Sequence, residues 1–443
     1  MTDPELWPVT IARSSALMNG SAKVLAAERL PDILTGGDTV VIGHGSGWPR
    51  RAVTEMARGA AQPIRIVHNR IEESLPYFTE PMRDRVRHDG FMLSQSSRPH
   101  FKNLAVDYIP NTYAQLPSIF RSGTIPVDIV ILHLSPPDGD GYCSLGTCSA
   151  YLPAAAEVAR TVVGQINMAM PRTFGSRVHI DDLDYIIEVD DPLWTEEPQE
   201  PDERVRSIAG HVASLVDDGC TLQVGIGKLA DTIIDELTTR RDLQIYSETF
   251  GDAAIRLVHA GATRETAGEA PITATFITGT QDLYEAVDAN PAIRILPVDL
   301  TNHPRELSAK PALVAVNSAI EIDLTGQVNA EAIGRHLYTG VGGHLDFAQA
   351  AGLSKGGRYI VALPSTARGR SRIVTSLTQG SPVTVPRSLA HFVVTEHGVA
   401  DLKGKTLRQR AESLIAIAAP EHRSALVGGL DALAPAWEPQ AGS

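Results

Sequence analysis

The chain is 443 residues long and 43% hydrophobic, two to three times the length of a typical domain and apolar enough to fill two cores. Its 39 basic and 52 acidic residues leave a net charge of −13, which argues against a nucleic-acid partner or an anionic membrane surface. Three cysteines without CxxC spacing fit a reducing cytoplasm, and neither an export signal nor a membrane-spanning apolar run is read.

From Gly36 the chain reads GGDTVVIGHGSGW: a turn, a short apolar strand, a GxG turn and the start of a helix. His44 places a bulky ring inside that turn and reads as a buried structural histidine. DIVILHLS is a fully buried strand, SPPDGDGYCSLG a loop closing over a cleft, and AAAEVARTVVGQIN a helix followed by a strand. Cys143 and Cys148 have no base at a spacing that would activate them. The acid- and proline-rich stretch VDDPLWTEEPQEPDER, near residues 190–204, reads as a linker and divides the chain into units 1–200 and 201–443.

The second unit opens with the same pattern as the first. DDGCTLQVGIGKLADTIIDEL repeats turn, strand, GxG and helix, with Gly225 and Gly227 at one constant offset from Gly43 and Gly45. Two related open α/β halves follow from this. Ala230, Ile233, Ile234 and Leu237 form the stripe of a helix packed on a sheet, and Lys228 at its start is placed to approach an anion. QIYSETFGDAAIRLVHAGA predicts a strand ending at Glu248, a turn at Gly251 and a helix closed by Gly261. Glu248 then stands where open α/β sheets place their ligands.

Further on, Gly340, Gly342 and Gly343 in TGVGGHLDF make a loop whose N–H groups can face a developing oxyanion, without the lysine of a phosphate-binding P-loop. Gln327, Asn329 and Glu331 read as a hydrogen-bonded support for that loop. Arg368, Arg370 and Arg372 alternate as they would along one side of a strand. APAWEPQAGS reads as a loose tail, and no cluster of His, Cys or acids has metal-ligand spacing.

The blocks LTNHPREL, VAVNSAIEIDLTGQVNAE, YTGVGGHLDF, ALPSTARG and HFVVTEHGVADLKGKTLRQRA, with DIVILHLSPPDGDGYCSLGTC and YIIEVDDPL upstream, resemble the acetyl-CoA hydrolase/transferase family. The resemblance implies an open α/β fold of the coenzyme A transferase type, with the active site in a cleft between the halves. It implies Glu248 as nucleophile, although the family pattern HTEMFSDG reads YSETFGDA here, with Tyr246 for His and Thr249 for Met. It further implies Gly342 as oxyanion donor and Asn302 as an active-site amide orienting the glutamate. Gly225, Gly227, Lys228, Gly340, Gly343 and Glu396 become candidate contacts to coenzyme A.

The reaction implied is ping-pong transfer of CoA from an acyl-CoA to a small carboxylic acid through a glutamyl-CoA thioester. CoA is the substrate, no tightly bound cofactor or metal is needed, and a cytoplasmic homo-oligomer is expected. Hydrolysis of acyl-CoA at the same site, and a catalytically silent acyl-CoA-binding protein, are the alternatives. A sugar-phosphate isomerase on a related fold fits less well, because a compact phosphate loop is absent.

Overall fold

The computed structural model describes residues 7–13, 22–78, 81–101, 105–264 and 269–433, so the tail expected over 434–443 lies outside them. Two sheets organise the chain. The first has eight strands in the order Lys23–Val24, Tyr185–Val189, Thr161–Asn167, Ile129–Leu134, Thr39–Ile42, Ile64–His68, Val86–Gly90 and Val106–Tyr108, with every neighbouring pair parallel.

Alternation within the apolar run of Thr39–Ile42 explains how both faces are covered. Val40 and Ile42 pack with Ala52, Val53 and Met56 of helix Arg50–Gly59, while Val41 points the other way and packs with Leu152, Ala155 and Ala156 of helix Leu152–Val158. Ile129–Leu134 is buried at every position, as a central parallel strand between two helix layers must be.

The second sheet has eleven strands, parallel except for Tyr142–Ser144 and the C-terminal hairpin Phe392–Thr395/Gly398–Asp401. Its centre runs Ile293–Ile295, Ile272–Ala274, Gln244–Tyr246, Thr221–Val224, Leu313–Asn317 and Arg358–Ala362. Val314 and Val316 face the layer of helix Lys228–Glu236, and Leu313 and Ala315 face the layer of helix His344–Leu353.

Three strands from the first 200 residues, Val9–Ile11, Tyr142–Ser144 and Phe174–His179, belong to this second sheet. The division expected at residue 200 therefore does not coincide with the partition of strands between the sheets. A constant offset between repeated motifs cannot reveal this, because edge strands are recruited through tertiary pairing and leave no repeat signature.

The strand before Glu248 ends at Tyr246, two residues earlier than expected, and Glu248 stands between it and the short strand Thr249–Phe250. The three arginines do not share a strand face. Arg368 and Gly369 form the turn of a hairpin between Thr366–Ala367 and Arg370–Ser371, with Arg368 at φ +51°. Arg372 turns inward and donates to the Ile320 carbonyl at 3.0 Å. Among the described residues, no helix is long and apolar enough to cross a membrane.

Candidate active site

Glu248 lies on the wall of a cavity of about 200 Å³ between the two sheets. His44, Asn69, Arg70 and Met92 reach this cavity from the first unit, and Gly225, Thr249 and Phe276 from the second. The two strand-to-helix turns related by the internal repeat thus meet there, His44–Gly45 on one side and Gly225–Ile226 on the other. Their convergence is the structural content of the repeat. The first turn is also tied directly to the second unit, since Ser46 Oγ donates to the Ile277 carbonyl at 2.8 Å.

Two donors hold the Glu248 carboxylate. Asn302 caps the C-terminus of helix Val298–Thr301, and its Oδ1 accepts a hydrogen bond from Thr301 Oγ1 at 2.9 Å. That contact orients the amide so that Nδ2 donates to Glu248 Oε2 at 3.0 Å. The backbone N–H of Gly343 is the second donor. Gly343 caps the ten-residue helix His344–Leu353, so the carboxylate also faces a helix N-terminus.

The three loop glycines have three different reasons to be glycine. A Cβ on Gly343 would overlap Glu248 Oε2 and Asn302 Nδ2. Gly342 has φ +56°, and a Cβ there would lie 3.8 Å from Glu248 Oε1. Gly340 instead approaches the backbone of Phe91 and Met92 and the ring of Tyr108, so its missing side chain makes room for the first unit, not for a ligand. Gln327, Asn329 and Glu331 spend their polar groups on other protein groups, and Glu331 reaches the first unit by accepting from Tyr108 OH at 3.4 Å. Gln327 donates to Asp323, Asn329 to the Ala332 carbonyl, and Glu331 accepts from Thr384.

Gly225 lines the cavity with Glu248, whereas Gly227 and Lys228 line an adjoining depression that shares Glu196 and Thr278 with it. Glu396 is separate. Its carboxylate accepts from the Ser365 backbone N–H and hydroxyl, both at 2.8 Å, and it does not line the cavity. A strand-end carboxylate holding a neighbouring loop is what its surroundings describe. Cys143 and Cys148 are buried, and burial pushes both thiols up to about 12, away from nucleophilic use. Among the described residues, no three His, Cys, Asp or Glu side chains gather as metal ligands.

Sequence reasoning missed Asp346, although it stands in the quoted block TGVGGHLDF. It is buried in the first turn of helix His344–Leu353 and accepts from the Ala114 N–H at 2.9 Å, while the Gly342 carbonyl accepts from the Tyr113 N–H at 3.0 Å. Segment 112–115 of the first unit is therefore fastened to the glycine loop at two points. The signal was a carboxylate three residues after a glycine N-cap, which alone says only that a helix begins. Trp194 and Glu196 were also missed as cavity residues: the acid- and proline-rich stretch read as a linker runs along the cavity.

Burial is the main cause of the raised pKa of Glu248, which stands at about 7; the Asn302 hydrogen bond opposes this and the charge of Asp346 adds to it. Burial likewise raises Asp346 to about 7. His44, buried beside Tyr113 and Tyr151, is pushed the other way to about 3 and stays neutral.

A stability consequence follows for Glu248. Its folded-state value is raised above the ordinary 4.5, so its contribution is fully present below pH 4.5 and is lost as pH rises through about 7. Glu248→Gln, whose amide oxygen can still accept from these donors, should therefore melt higher than the wild type at pH 8, by up to about 3 kcal/mol of stability. The difference should shrink between pH 7 and 4.5 and vanish below. Melting curves at pH 4.5, 6 and 8 check this, and a pH-independent difference would contradict the assigned burial cost.

The sequence pattern of the acetyl-CoA hydrolase/transferase N-terminal domain matches residues 19–194, and that of the corresponding C-terminal domain matches residues 279–429. A 4-hydroxybutyrate coenzyme A transferase of Clostridium kluyveri is 38% identical over 413 residues, covering 91% of this chain and 96% of that one. The crystal structure of RipA from Yersinia pestis is similar with a TM-score of 0.86 and 30% identity, over 93% of this chain and 97% of RipA. A 4-hydroxybutyrate CoA-transferase structure from Porphyromonas gingivalis is similar with a TM-score of 0.78 and 33% identity, over 93% and 98%.

Proposed function

The chain belongs to the acetyl-CoA hydrolase/transferase family and is an enzyme, and from this premise we propose that it moves CoA from an acyl-CoA to a carboxylic acid by a ping-pong cycle on Glu248. The observation that carries the reading is the Glu248 carboxylate, held by Asn302 and Gly343 on the wall of a cavity between the two units.

In this reading the ionised Glu248 oxygen attacks the thioester carbonyl of acyl-CoA. The C–S bond breaks, CoA leaves as thiolate, and a mixed anhydride remains. The thiolate then attacks the glutamyl carbonyl, the acid departs as carboxylate, and glutamyl-CoA is formed. An incoming carboxylate reverses both steps. Burial suits Glu248 to this task because a carboxylate of raised pKa is a stronger base and nucleophile than an ordinary one, while a value of about 7 still leaves it ionised in part at neutral pH.

Each attack develops an oxyanion. We assign its stabilisation to the Gly342 N–H, since the Gly343 N–H is engaged with the carboxylate itself. Asn302 orients the nucleophile. Lys228, at the N-terminus of helix Lys228–Glu236, is placed to meet a CoA phosphate in the depression next to the cavity. Gly225 and Gly227 leave that approach open, for nothing lies within 4 Å of a Cβ built on either. The apolar walls supplied by Met92, Trp194 and Phe276 favour transfer over hydrolysis, because water is a poor occupant of such a surface. A cytoplasmic homo-oligomer belongs to the same proposal, and the buried, unpaired cysteines are compatible with a reducing compartment.

Incubation with acyl-CoA in the absence of acceptor acid tests the mechanism. CoA should become bound to Glu248, and borohydride reduction followed by peptide mass spectrometry should mark the peptide containing YSETF. Reproducible marking of a different carboxylate, with Glu248 unmodified, would overturn the assignment.

A further inference from the structure

Asp346 stands in the first turn of helix His344–Leu353, where a carboxylate ordinarily serves its own helix by facing the N-terminal dipole. Here it also reaches across to the first unit. It is 3% exposed, and it accepts from the Ala114 N–H at 2.9 Å and from the Thr112 hydroxyl. Burial penalises its charge, so a carboxylate is a costly way to join two segments that apolar side chains could join for less. The segment it holds supplies a reason.

Tyr113, between the two residues that Asp346 grips, donates its N–H to the Gly342 carbonyl at 3.0 Å, and Thr112 pairs with Gly342 as an isolated parallel bridge. The other end of that same peptide unit is the Gly343 N–H, which donates to Glu248. A trans peptide is planar, with its C=O and N–H directed oppositely, so the bond that fixes the carbonyl also fixes where the N–H points. Glycine on both sides leaves this unit free to turn unless its carbonyl is held. The contacts close a ring: Glu248 to the Gly343 N–H, the Gly342 carbonyl to Tyr113, the neighbouring Ala114 N–H to Asp346, and Asp346 back through one turn of helix to Gly343.

We propose that Asp346 is a positioning residue: by holding segment 112–115 of the first unit, it fixes the plane of the Gly342–Gly343 peptide and with it the donor that aims the Glu248 carboxylate. Docking of the first unit and alignment of the nucleophile are then one event. Asp346 does not line the cavity, and its hold reaches the reaction through that peptide. Its negative charge is a second influence on Glu248, and the two are separable by substitution. Asn at position 346 lacks the charge but keeps the hold, since its amide oxygen accepts from the Ala114 N–H while the Thr112 hydroxyl turns to accept from its NH₂. Ala lacks both. The proposal rests on the reading of Glu248 as the reacting carboxylate.

The test measures single-turnover release of CoA from acetyl-CoA per folded molecule, acetyl-CoA affinity and melting temperature for the wild type, Asp346→Asn, Asp346→Ala and Thr112→Val. Asp346→Ala should release CoA at least about thirtyfold more slowly with acetyl-CoA affinity within about threefold, and Asp346→Asn should recover most of that rate. Thr112→Val keeps the charge and loses one contact to it, and should be slower by at least about threefold; it carries the test if Asp346→Ala does not fold. A fastening that matters only to folding would lower the melting temperature and leave the rate per folded molecule within about twofold of the wild type, and that result overturns the inference. Asp346→Asn falling as far as Asp346→Ala overturns it too, because charge and not the hold would then be acting. Borohydride trapping on the same proteins keeps the two readings apart: CoA trapped on another carboxylate in the wild type removes the nucleophile, whereas Glu248 trapped equally fast in the wild type and in Asp346→Ala removes only the role of Asp346.

Discussion

Glu248→Ala is expected to lower turnover by at least about a thousandfold while CoA affinity stays within about tenfold. The asymmetry follows from where the side chain spends its interactions. Its carboxylate contacts Asn302 and Gly343, neither of which lies in the adjoining depression lined by Lys228, where the proposal puts the nucleotide end of CoA. Removing it therefore deletes the attacking atom and leaves the remote handle bound. At pH 8 the loss of a buried charge favours the variant while the unpaired Asn302 and Gly343 donors oppose it, so the melting temperature measured beside turnover shows whether a dead variant is folded. Single-turnover release of free CoA, measured beside CoA affinity, separates the two contributions. Turnover within tenfold of the wild type would retire the nucleophile, and loss of CoA binding in a folded protein would make Glu248 a structural residue.

The parts of this site that were legible in the sequence are those in which one residue type has one physical reason to be there. The two GxG turns were visible because a short apolar strand entering a helix needs a turn of that kind, and both turns do lead from strand to helix. Glu248 was visible from its place after a strand and from the surrounding blocks.

What stayed hidden was everything decided by pairing across the chain. Asp346 becomes distinctive only once segment 112–115 docks on it, and Arg70 and Asn69 only once the end of strand Ile64–His68 faces the second unit. The stretch near 190–204 looked like a linker because acids and prolines disfavour sheet interiors. That reasoning holds for its backbone, which forms no helix or strand over residues 190–202, yet Trp194 and Glu196 still reach the cavity. Glu396 shows the converse. Its position after an apolar strand resembled that of Glu248, but Ser365 takes up its carboxylate.

The glycine loop gives the sharpest separation of chemistry from folding. Gly343→Ala is expected to reduce the rate of CoA release by at least about a hundredfold with a small loss of thermal stability, and Gly342→Ala to show a larger share of its effect in stability. Gly343 has φ −88°, a value alanine adopts freely, so the substitution imposes no backbone strain. Its methyl group would overlap Glu248 Oε2 and Asn302 Nδ2, both of them ends of side chains that can move aside. The fold should survive, but the carboxylate should be displaced from both of its donors, and a nucleophile moved by an ångström loses its angle of attack. Gly342, at φ +56°, would strain as alanine by about 1 kcal/mol, while its nearest neighbour, the Met92 sulfur at 3.4 Å, belongs to an adaptable side chain. Melting temperature and single-turnover CoA release measured on both variants decide the matter. If Gly343→Ala releases CoA at the wild-type rate, the carboxylate does not need the Asn302 and Gly343 donors, and the arrangement on which the proposed mechanism depends is not the reactive one.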